Sequence, residues 1–440
     1  MMKQFRVSVV LVTGLALGAV GAARARSGKG VDQPVAAGAG ERADAERVNL
    51  WTGEGVNWGG VLFPHFHFQA VYGSSSSDLG HELGAGHHDP VADGWTIQGF
   101  EVGLSARVGE SFEAFATYHG YWENEDPNDY GDEFEEWFGK VKNLPGGFEV
   151  RGGRYLNRFG LHNATHLHAW NWMDNYLVNG RFLGDDGQYS IGGELTWNLP
   201  TPWTSVVSVS VGRPPREEHD EEGHDDHDEA LFESEGAYFD DVLTVANWTN
   251  AWNLNDFHQF RGGLSGAWGN NVGSETTQVY GAHFQYEWRR NGLEPGGAYF
   301  RWRTEVMIRD FDAVSEGDHG HGDEHEGAPD PHGEHEDEHE SEAESRQSLD
   351  DWGWYTSLSY GHPVGAGILE AALRFDWVAD LDEAGLPGRR RISPGLTWYA
   401  NELRTVYLRG QYNHDRIDGH GEEDSVWIGF GFNWGRAEVR

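Results

Sequence analysis

Apolar and polar residues alternate one by one along much of the chain. In the clearest run, Thr276 to Arg290, aromatic residues interleave with His283, Gln285 and Glu287. A period of two puts each set on its own face of a β-strand. Leu369 to Trp377 repeats the pattern, and the face opposite its apolar residues is charged. These runs cover about 10 to 14 residues, the reach of a tilted membrane strand, whereas sandwich strands average about 5 or 6.

The alternating runs recur often enough to form a large closed sheet. They begin near Val61, Ile97, Ser111, Phe134, Phe148, Tyr189, Trp203, Leu243, Phe257, Thr276, Ala298, Trp352, Gly367, Arg391, Leu403 and Glu423. Sixteen is even, as single-chain bacterial barrels usually require, and short links alternate with mostly longer ones. The sequence therefore predicts an all-β fold, a transmembrane antiparallel β-barrel of about 16 strands with long extracellular loops and short periplasmic turns.

Composition excludes a helical membrane protein and is compatible with a barrel. After Val20 no segment approaches 18 consecutive apolar residues, the minimum for a spanning helix. Barrel strands present only every second residue to lipid, so a chain with 38% hydrophobic residues and a net charge of -40 can still form one. The 20 Trp, 16 Tyr and 22 Phe can supply the outer surface and its aromatic girdles.

The N-terminal residues indicate export. Lys3 and Arg6 precede an apolar run from Val7 to Val20, and Ala23-Arg24-Ala25 supplies an A-x-A cleavage pattern. We expect a signal peptide at 1–25, a flexible periplasmic segment at 26–57, a barrel at 58–440, and a location in the bacterial outer membrane. The absence of cysteine fits an oxidising compartment. The 26–57 segment is too short to fold alone as a plug domain, so an aqueous lumen is expected.

The third long link, Gly160 to Gln188, is unusually apolar for a loop. It contains Trp170, Trp172, Met173, Tyr176 and Phe182. Residues of this kind rarely cluster on a solvated surface. We therefore predict that this loop folds inward, packs against the barrel wall and narrows the lumen.

The region from Arg151 to Gly187 resembles the fifth strand and third loop of porins related to the phosphate-selective porins O and P. The resemblance depends on Arg154, Arg158-Phe159-Gly160, His166-Leu167-His168 and Phe182 to Gly187. It covers some 35 residues and is architectural elsewhere. Members with histidine-rich loops are described as zinc-regulated outer-membrane proteins, and this chain is similar to those. It departs from them in having no room for a receptor plug and in the six residues that follow Trp434.

Two other long loops are rich in histidine and carboxylate. Imidazole with carboxylate suits Zn²⁺, and Cu²⁺ or Ni²⁺ nearly as well. We interpret them as weak, multivalent metal-binding segments; the alternative is a solvated acidic tract. The first long loop adds His81, His87 and His88. The candidate ligands are His219, His224 and His227 in the fourth loop and His319, His321, His325, His332, His335 and His339 in the sixth.

A sharper candidate metal site lies on the third loop. His162, His166 and His168 follow an H-x3-H-x-H pattern. On a helical turn His162 and His166 would share one face and could chelate one ion. The alternative is a constriction stabilised by histidine hydrogen bonds.

Strand parity also predicts which side chains face the lumen. The inward set contains both acids and bases, so cation and anion passage both stay open. The acidic loops should repel anions at the mouth, so cation or metal passage ranks first. The predicted lumen residues are His65, His67, His119, His283, Arg301, Arg303, Glu305, Arg309 and Arg374.

These patterns predict a porin-like channel for small solutes that is linked to capture or uptake of divalent metal, zinc first. An anion-selective porin for phosphate and a surface metal-binding protein without an open pore are the alternatives. No G-x-S-x-G, H-E-x-x-H or P-loop pattern occurs, so we expect no enzyme. No cofactor is required, although Zn²⁺ or another divalent cation is a candidate ligand. Expected partners are outer-membrane lipid and divalent metal ions, with a homotrimer implied by the resemblance alone and no nucleic acid.

Overall fold

The computed structural model describes residues 53, 55–76, 84–86, 88–123, 130–215, 238–271, 274–294, 296–315 and 345–435. All of them belong to one compact unit, Gln33–Arg440. The predicted signal peptide and the histidines of the fourth and sixth loops lie outside the described residues. Within the described part, no helix has the length and apolarity needed to cross a membrane.

Sixteen antiparallel strands form a closed barrel, which confirms the predicted fold class. Each strand pairs with its sequence neighbours, and β1 closes the sheet on β16 from Phe66↔Trp434 to Ser75↔Ser425. The strands are β1 Leu62–Ser75, β2 Gly94–Val108, β3 Phe112–Glu123, β4 Tyr130–Leu144, β5 Phe148–Leu156, β6 Tyr189–Asn198, β7 Thr204–Arg213, β8 Leu243–Asn255, β9 His258–Asn270, β10 Thr276–Arg289, β11 Tyr299–Ser315, β12 Ser345–Val364, β13 Gly367–Val378, β14 Arg389–Tyr399, β15 Val406–Ile417 and β16 Gly421–Trp434.

Most strands start within a few residues of the predicted positions, and the largest difference is at β12. That strand begins at Ser345, seven residues before the predicted Trp352, and its first residue pairs with Ser315. The added stretch, Ser345 to Asp351, is almost entirely polar. It therefore shows no alternation with apolar residues, and the pattern could not reveal it.

The two faces of the sheet have the polarity expected in a bilayer. On β13, Leu369 and Leu373 are 37% and 48% exposed on the outer face. On the inner face of the same strand, Glu370, Arg374 and Asp376 are buried. A closed barrel can span lipid because every strand edge is paired, and its apolar face points outward.

The longest links lie at one end of the barrel, as predicted. Because neighbouring strands are antiparallel, successive links lie at opposite ends, and the four longest, 76–93, 157–188, 214–242 and 316–344, fall at the same end. The other end has mostly short links, such as 109–111 and 365–366. The alternation of lengths fails in two places, since 290–298 is longer than the preceding link 271–275, and the predicted loop at 415–421 is reduced to 418–420. Two of the long links are called loop 1, residues 76–93, and loop 3, residues 157–188.

Loop 3 folds into the barrel, which confirms the sequence prediction. It contains a 3₁₀ turn, Leu167–Ala169, and the helix α1, Leu177–Leu183. Trp172, Met173, Tyr176 and Phe182 are at most 2% exposed. Tyr176 stacks on Tyr355 of β12 with ring centroids 3.7 Å apart. The apolar residues of the loop pack against apolar wall residues of β8 to β13, including Val245, Met307 and Val378.

A buried ionic network also fixes loop 3 to the wall. The Asp174 carboxylate accepts hydrogen bonds from Arg374 Nη2 at 2.7 Å, Arg391 Nη1 at 2.5 Å and Gln411 Nε2 at 2.5 Å. Burial alone would raise the pKa of Asp174, but Arg374 and Arg391 hold it below its usual value. Further along the loop, Arg181 Nε donates to Asp351 at 2.8 Å. The loop is therefore held at two points by charged groups out of contact with water.

Replacing Asp174 tests this network. Removing one partner of a buried ion pair costs about 3–5 kcal/mol, because the remaining charge is left uncompensated. We expect Asp174→Ala to lower the local opening free energy of residues 170–183 by about that amount while the barrel stays folded. Amide hydrogen exchange in lipid vesicles measures this, and Asp382→Ala, at an exposed aspartate of the 379–388 link, serves as control. Unchanged exchange in loop 3 would contradict the anchoring role.

Candidate functional site

Histidine and glutamate side chains form a row across the inner face of β1, β2 and β3. The strand register places His67 opposite Glu101 and Glu101 opposite His119. All three are at most 2% exposed. His65 lies two residues along β1, in the next inward position, and is 3% exposed. The prediction from strand parity that His65, His67 and His119 face inward agrees with this arrangement.

An irregularity in β4 adds two consecutive carboxylates to this wall. The pairing with β3 shifts by one residue, so that Thr117 lies opposite Glu136 while Tyr118 lies opposite Phe134. Glu135 is the extra residue of this β-bulge. A bulge interrupts the alternation of faces at one point. As a result Glu135 and Glu136 are both buried on the inner side, each 3% exposed.

Loop 3 contributes two histidines that meet these carboxylates. His166 lies between the bulge residues, with Nδ1 2.7 Å from Glu135 Oε2 and Nε2 2.6 Å from Glu136 Oε2. His168 Nδ1 lies 2.8 Å from Glu101 Oε2. The two imidazole rings stack with centroids 5.6 Å apart. Loop 3 thus touches the wall of β2 and β4 through histidine–carboxylate contacts as well as through its arginine anchors.

Loop 1 adds a further histidine beside His119. The His88 ring lies 4.3 Å from the ring of His119, and His88 is only 8% exposed. Its Nε2 is 3.6 Å from Asp186 Oδ1 of loop 3. His88 is therefore a buried loop residue that contacts the lumen wall. The sequence interpretation grouped it with His81 and His87 in a weak metal-binding loop, and the alternative of a solvated tract is wrong for His88. His81 and His87 lie outside the described residues.

We call this set of nine residues the histidine–glutamate centre. Four secondary structure elements and two loops supply its members. They are His65 and His67 from β1, Glu101 from β2, His119 from β3, Glu135 and Glu136 from β4, His88 from loop 1, and His166 and His168 from loop 3.

Two glycines of β2 make room for the centre. A Cβ on Gly103 would lie 2.0 Å from the His65 ring. A Cβ on Gly99 would lie 2.6 Å from Leu167 Cδ2 and 3.2 Å from His119 Nε2. Side chains at either position would therefore displace the imidazoles or the loop above them.

The buried carboxylates of the centre have histidines as their main charged partners, and several buried polar atoms have no hydrogen-bond partner among the described residues. The strongest electrostatic partners of Glu101 are His168, His67 and His166, and those of Glu135 include His166 and His119. Among the described residues, both ring nitrogens of His65, Nε2 of His67, Nδ1 of His119 and Oε1 of Glu101 have no hydrogen-bond partner. Burying carboxylate and imidazole in this way is costly unless a cation or proton compensates them.

The donor set and its spacing fit a divalent cation. Two groups of three residues each offer one ligand atom within 4.8 Å of the other two. One group is His88, His119 and Glu135, and the other is Glu101, Glu135 and His166. Imidazole nitrogen with carboxylate oxygen is a typical zinc donor set, and copper or nickel would also be accepted. Without a metal, the alternative is an imidazolium at His166 that donates to both carboxylates.

The predicted three-histidine chelate of loop 3 is not assembled as expected. Gly160 to Ala164 form turns, so His162 and His166 do not share a helical face. The His162 ring instead packs 4.9 Å from Trp170 and 4.7 Å from Tyr176. Burial and the nearby Arg303 lower the pKa of His162 to about 3, which keeps it neutral. Only His166 and His168 of the three belong to the histidine–glutamate centre.

The other predicted lumen residues line a different part of the wall. His283 of β10 is 6% exposed, and both its nitrogens are without hydrogen-bond partners among the described residues. Arg301 Nη2 lies 3.3 Å from Glu287, and Arg303 Nε donates to Gln285 at 3.0 Å. Two more serve loop 3, since Glu305 accepts from the backbone of Leu161 at 3.1 Å and Arg374 binds Asp174.

Three members of the centre, Glu101, Glu135 and Glu136, were missed from the sequence. Glu101 was detectable, because it lies between Phe100 and Val102, which face outward and are 45% and 47% exposed. Glu135 and Glu136 were not, since alternation sends one of two adjacent residues outward unless a bulge intervenes. His88 was named as a candidate ligand of the first loop, but its contact with His119 was not predicted. The remaining predicted ligands, in the fourth and sixth loops, lie outside the described residues.

A double-mutant cycle tests the contact between His166 and the bulge. His166→Ala leaves Glu135 and Glu136 buried together, so we expect a loss of about 3–5 kcal/mol in unfolding free energy. Glu136→Gln in the same chain should restore part of that loss, because it removes one of the two like charges. Urea unfolding followed by tryptophan fluorescence measures all four variants. His283→Ala, at a buried histidine of β10 outside the centre, should cost much less. Strictly additive effects of His166→Ala and Glu136→Gln would refute the coupling.

Comparison with known proteins supports the fold. No protein-family model matches the chain. An uncharacterized protein of Aquifex aeolicus is 30% identical over 135 residues, which are 30% of this chain and 27% of that protein. OprB of Pseudomonas putida superposes with a TM-score of 0.50 at 11% identity over 85% of this chain and 94% of its own. The anion-selective porin of Comamonas acidovorans gives 0.49 at 12% over 85% and 99%. The likeness to OprB is one of fold, and the chain is a closed antiparallel β-barrel of 16 strands.

Proposed function

We propose that this protein is an outer-membrane channel that binds divalent metal cations, zinc first, inside its lumen and facilitates their passage. The observation that carries the proposal is the convergence of six histidines and three glutamates on one side of the lumen, where the barrel wall meets loops 1 and 3. These groups come from six separate segments of the chain. A structural role alone would not require so many metal-binding groups in contact.

The charge of the centre favours a cation over an anion. Three buried carboxylates, Glu101, Glu135 and Glu136, are its acidic members, and its histidines are the groups closest to them. A divalent ion there would exchange water ligands for imidazole nitrogen and carboxylate oxygen. Conduction also requires that the ion can leave. A site built partly from loop residues suits this need better than a rigid four-ligand cage.

The histidine-rich fourth and sixth loops would serve the same proposal at the mouth of the barrel. A chain with net charge -40 attracts cations electrostatically. Segments rich in His, Asp and Glu would raise the local metal concentration without a fixed geometry. The proposal includes export by the 1–25 signal peptide, outer-membrane lipid around the barrel and a homotrimer. It requires neither catalysis nor a resident cofactor.

One observation favours an anion-selective channel as a second candidate. Arg261, Arg301 and Arg303 lie together on the inner faces of β9 and β11. The Glu287 carboxylate lies beside this group and forms ion pairs with both Arg301 and Arg289. Such a basic wall could guide phosphate or other anions. A surface metal-binding protein with a closed lumen is the third candidate, and it would not conduct.

Planar-bilayer recording separates these candidates. We expect cation-selective single-channel steps from the refolded full chain, with reversal potentials that follow the cation gradient and a conductance that micromolar Zn²⁺ alters. Glu101→Gln with His166→Ala should weaken the zinc effect by about 10- to 100-fold or more, since loss of an outer partner of a metal ligand already costs that much.

The matched control is His283→Ala, which removes a buried lumen histidine outside the centre and should leave the zinc response unchanged. Anion-selective steps that Arg303→Gln abolishes would support the phosphate-type channel instead. Silent bilayers with intact, folded protein would leave only the surface metal-binding candidate.

A further inference from the structure

We infer that the histidine–glutamate centre holds two divalent cations, with Glu135 as the ligand they share. This inference rests on the proposed function and specifies how its metal site is organised. The two three-residue groups have only Glu135 in common. One of them would use His88 and His119, and the other would use Glu101 and His166.

The position of Glu135 suits a bridging carboxylate. It is the extra residue of the β4 bulge, so its side chain enters the lumen between the position of Glu133 and that of Glu136. His119 lies opposite Glu133 in the register, and His166 lies against Glu135 and Glu136. One carboxylate can bind two ions through its two oxygens, and bridged metals lie about 3.5–4 Å apart.

Each half of the centre contains a buried polar atom that has no hydrogen-bond partner among the described residues. In the half that contains His119, its Nδ1 has no hydrogen-bond partner among the described residues, and His119 is 2% exposed. In the other half, Oε1 of the fully buried Glu101 also has no hydrogen-bond partner among the described residues. Each half therefore has at least one donor atom that the protein itself leaves unsatisfied, which a ligand would satisfy.

His65 and His67 extend the donor set without belonging to either group. Both nitrogens of His65 and Nε2 of His67 lack partners within the described part of the chain. The His67 ring lies 5.8 Å from that of His168, which binds Glu101. Neither His65 nor His67 is in the two groups whose ligand atoms lie within 4.8 Å of one another. The ion near Glu101 therefore has three protein ligands, and water would supply the fourth that tetrahedral geometry requires.

The two ions would have different structural effects. The ion at His88, His119 and Glu135 joins loop 1 to β3 and β4, whereas the ion at Glu101, Glu135 and His166 joins loop 3 to β2 and β4. Each loop can thus be fixed to the wall by its own metal. Glu135 couples the two events, because it belongs to both sites.

Metal stoichiometry in the full chain tests the inference. The starting protein replaces by Ala the histidines outside the centre in the first, fourth and sixth loops: His81, His87, His219, His224, His227, His319, His321, His325, His332, His335 and His339. We expect this protein in detergent to bind two equivalents of Zn²⁺ by isothermal titration calorimetry. His88→Ala should leave one equivalent, His166→Ala should also leave one, and Glu135→Gln should weaken both by at least tenfold. His283→Ala should leave two.

Cobalt provides an independent readout of the shared ligand. With Co²⁺ in place of Zn²⁺, the second equivalent should attenuate the electron paramagnetic resonance signal of the first, because a bridging carboxylate couples the two spins. In His88→Ala and His166→Ala the single remaining Co²⁺ should give a full, uncoupled signal. Circular dichroism, and the difference in gel mobility between unheated and heated samples, establish that each variant is folded.

The outcomes separate this inference from the proposed function. One equivalent of zinc that both His88→Ala and His166→Ala abolish would overturn the two-ion arrangement and leave a single lumen site. Two equivalents with uncoupled Co²⁺ would overturn the bridging role of Glu135. No zinc binding to the folded protein would overturn metal binding in the lumen and the inference with it.

Discussion

Backbone hydrogen bonding in the absence of water is the constraint on which the rest of this structure depends. An unpaired amide or carbonyl in hydrocarbon costs several kcal/mol, so a sheet can span lipid only if it closes on itself. Here β1 pairs with β16, and that closure creates an inner face shielded from lipid. The inner face can hold charged groups such as Arg374 and Asp376, while the outer face must be apolar. Every member of the histidine–glutamate centre lies on that inner face or in loops 1 and 3.

The same constraint explains how far the sequence could predict the fold. Because a strand has two faces with different surroundings, its residues alternate, and the alternation revealed the strands. It failed at the start of β12, where Ser345 to Asp351 lack an apolar face. The entry of loop 3 into the barrel was predictable from its tryptophans and tyrosines. Its anchoring by Asp174 was not, because that aspartate meets arginines some 200 positions away in the chain.

The candidate site was only partly predictable, for related reasons. His65, His67 and His119 followed from parity, since they occupy regular positions in long strands. The burial of His88 beside His119 was not predicted, because composition describes the surroundings of a residue in sequence and not in space. The chelate with His162 was wrong in its geometry, since the loop turns at Gly160 to Ala164. Glu135 and Glu136 required knowledge of the pairing register between two strands, which one strand's sequence does not contain.

The bulge at Glu135 has an evolutionary consequence. Adding one residue to a regular strand normally exchanges the lipid and lumen faces of everything beyond it. Here the pairing of β3 and β4 absorbs the extra residue locally, and Phe134 and Trp137 on either side both remain on the lipid face, 56% and 45% exposed. A single inserted codon could thus have added a carboxylate to the lumen without altering the rest of the barrel, and its deletion could remove that carboxylate as simply. Gain or loss of such a ligand would then be a small mutational step among related barrels.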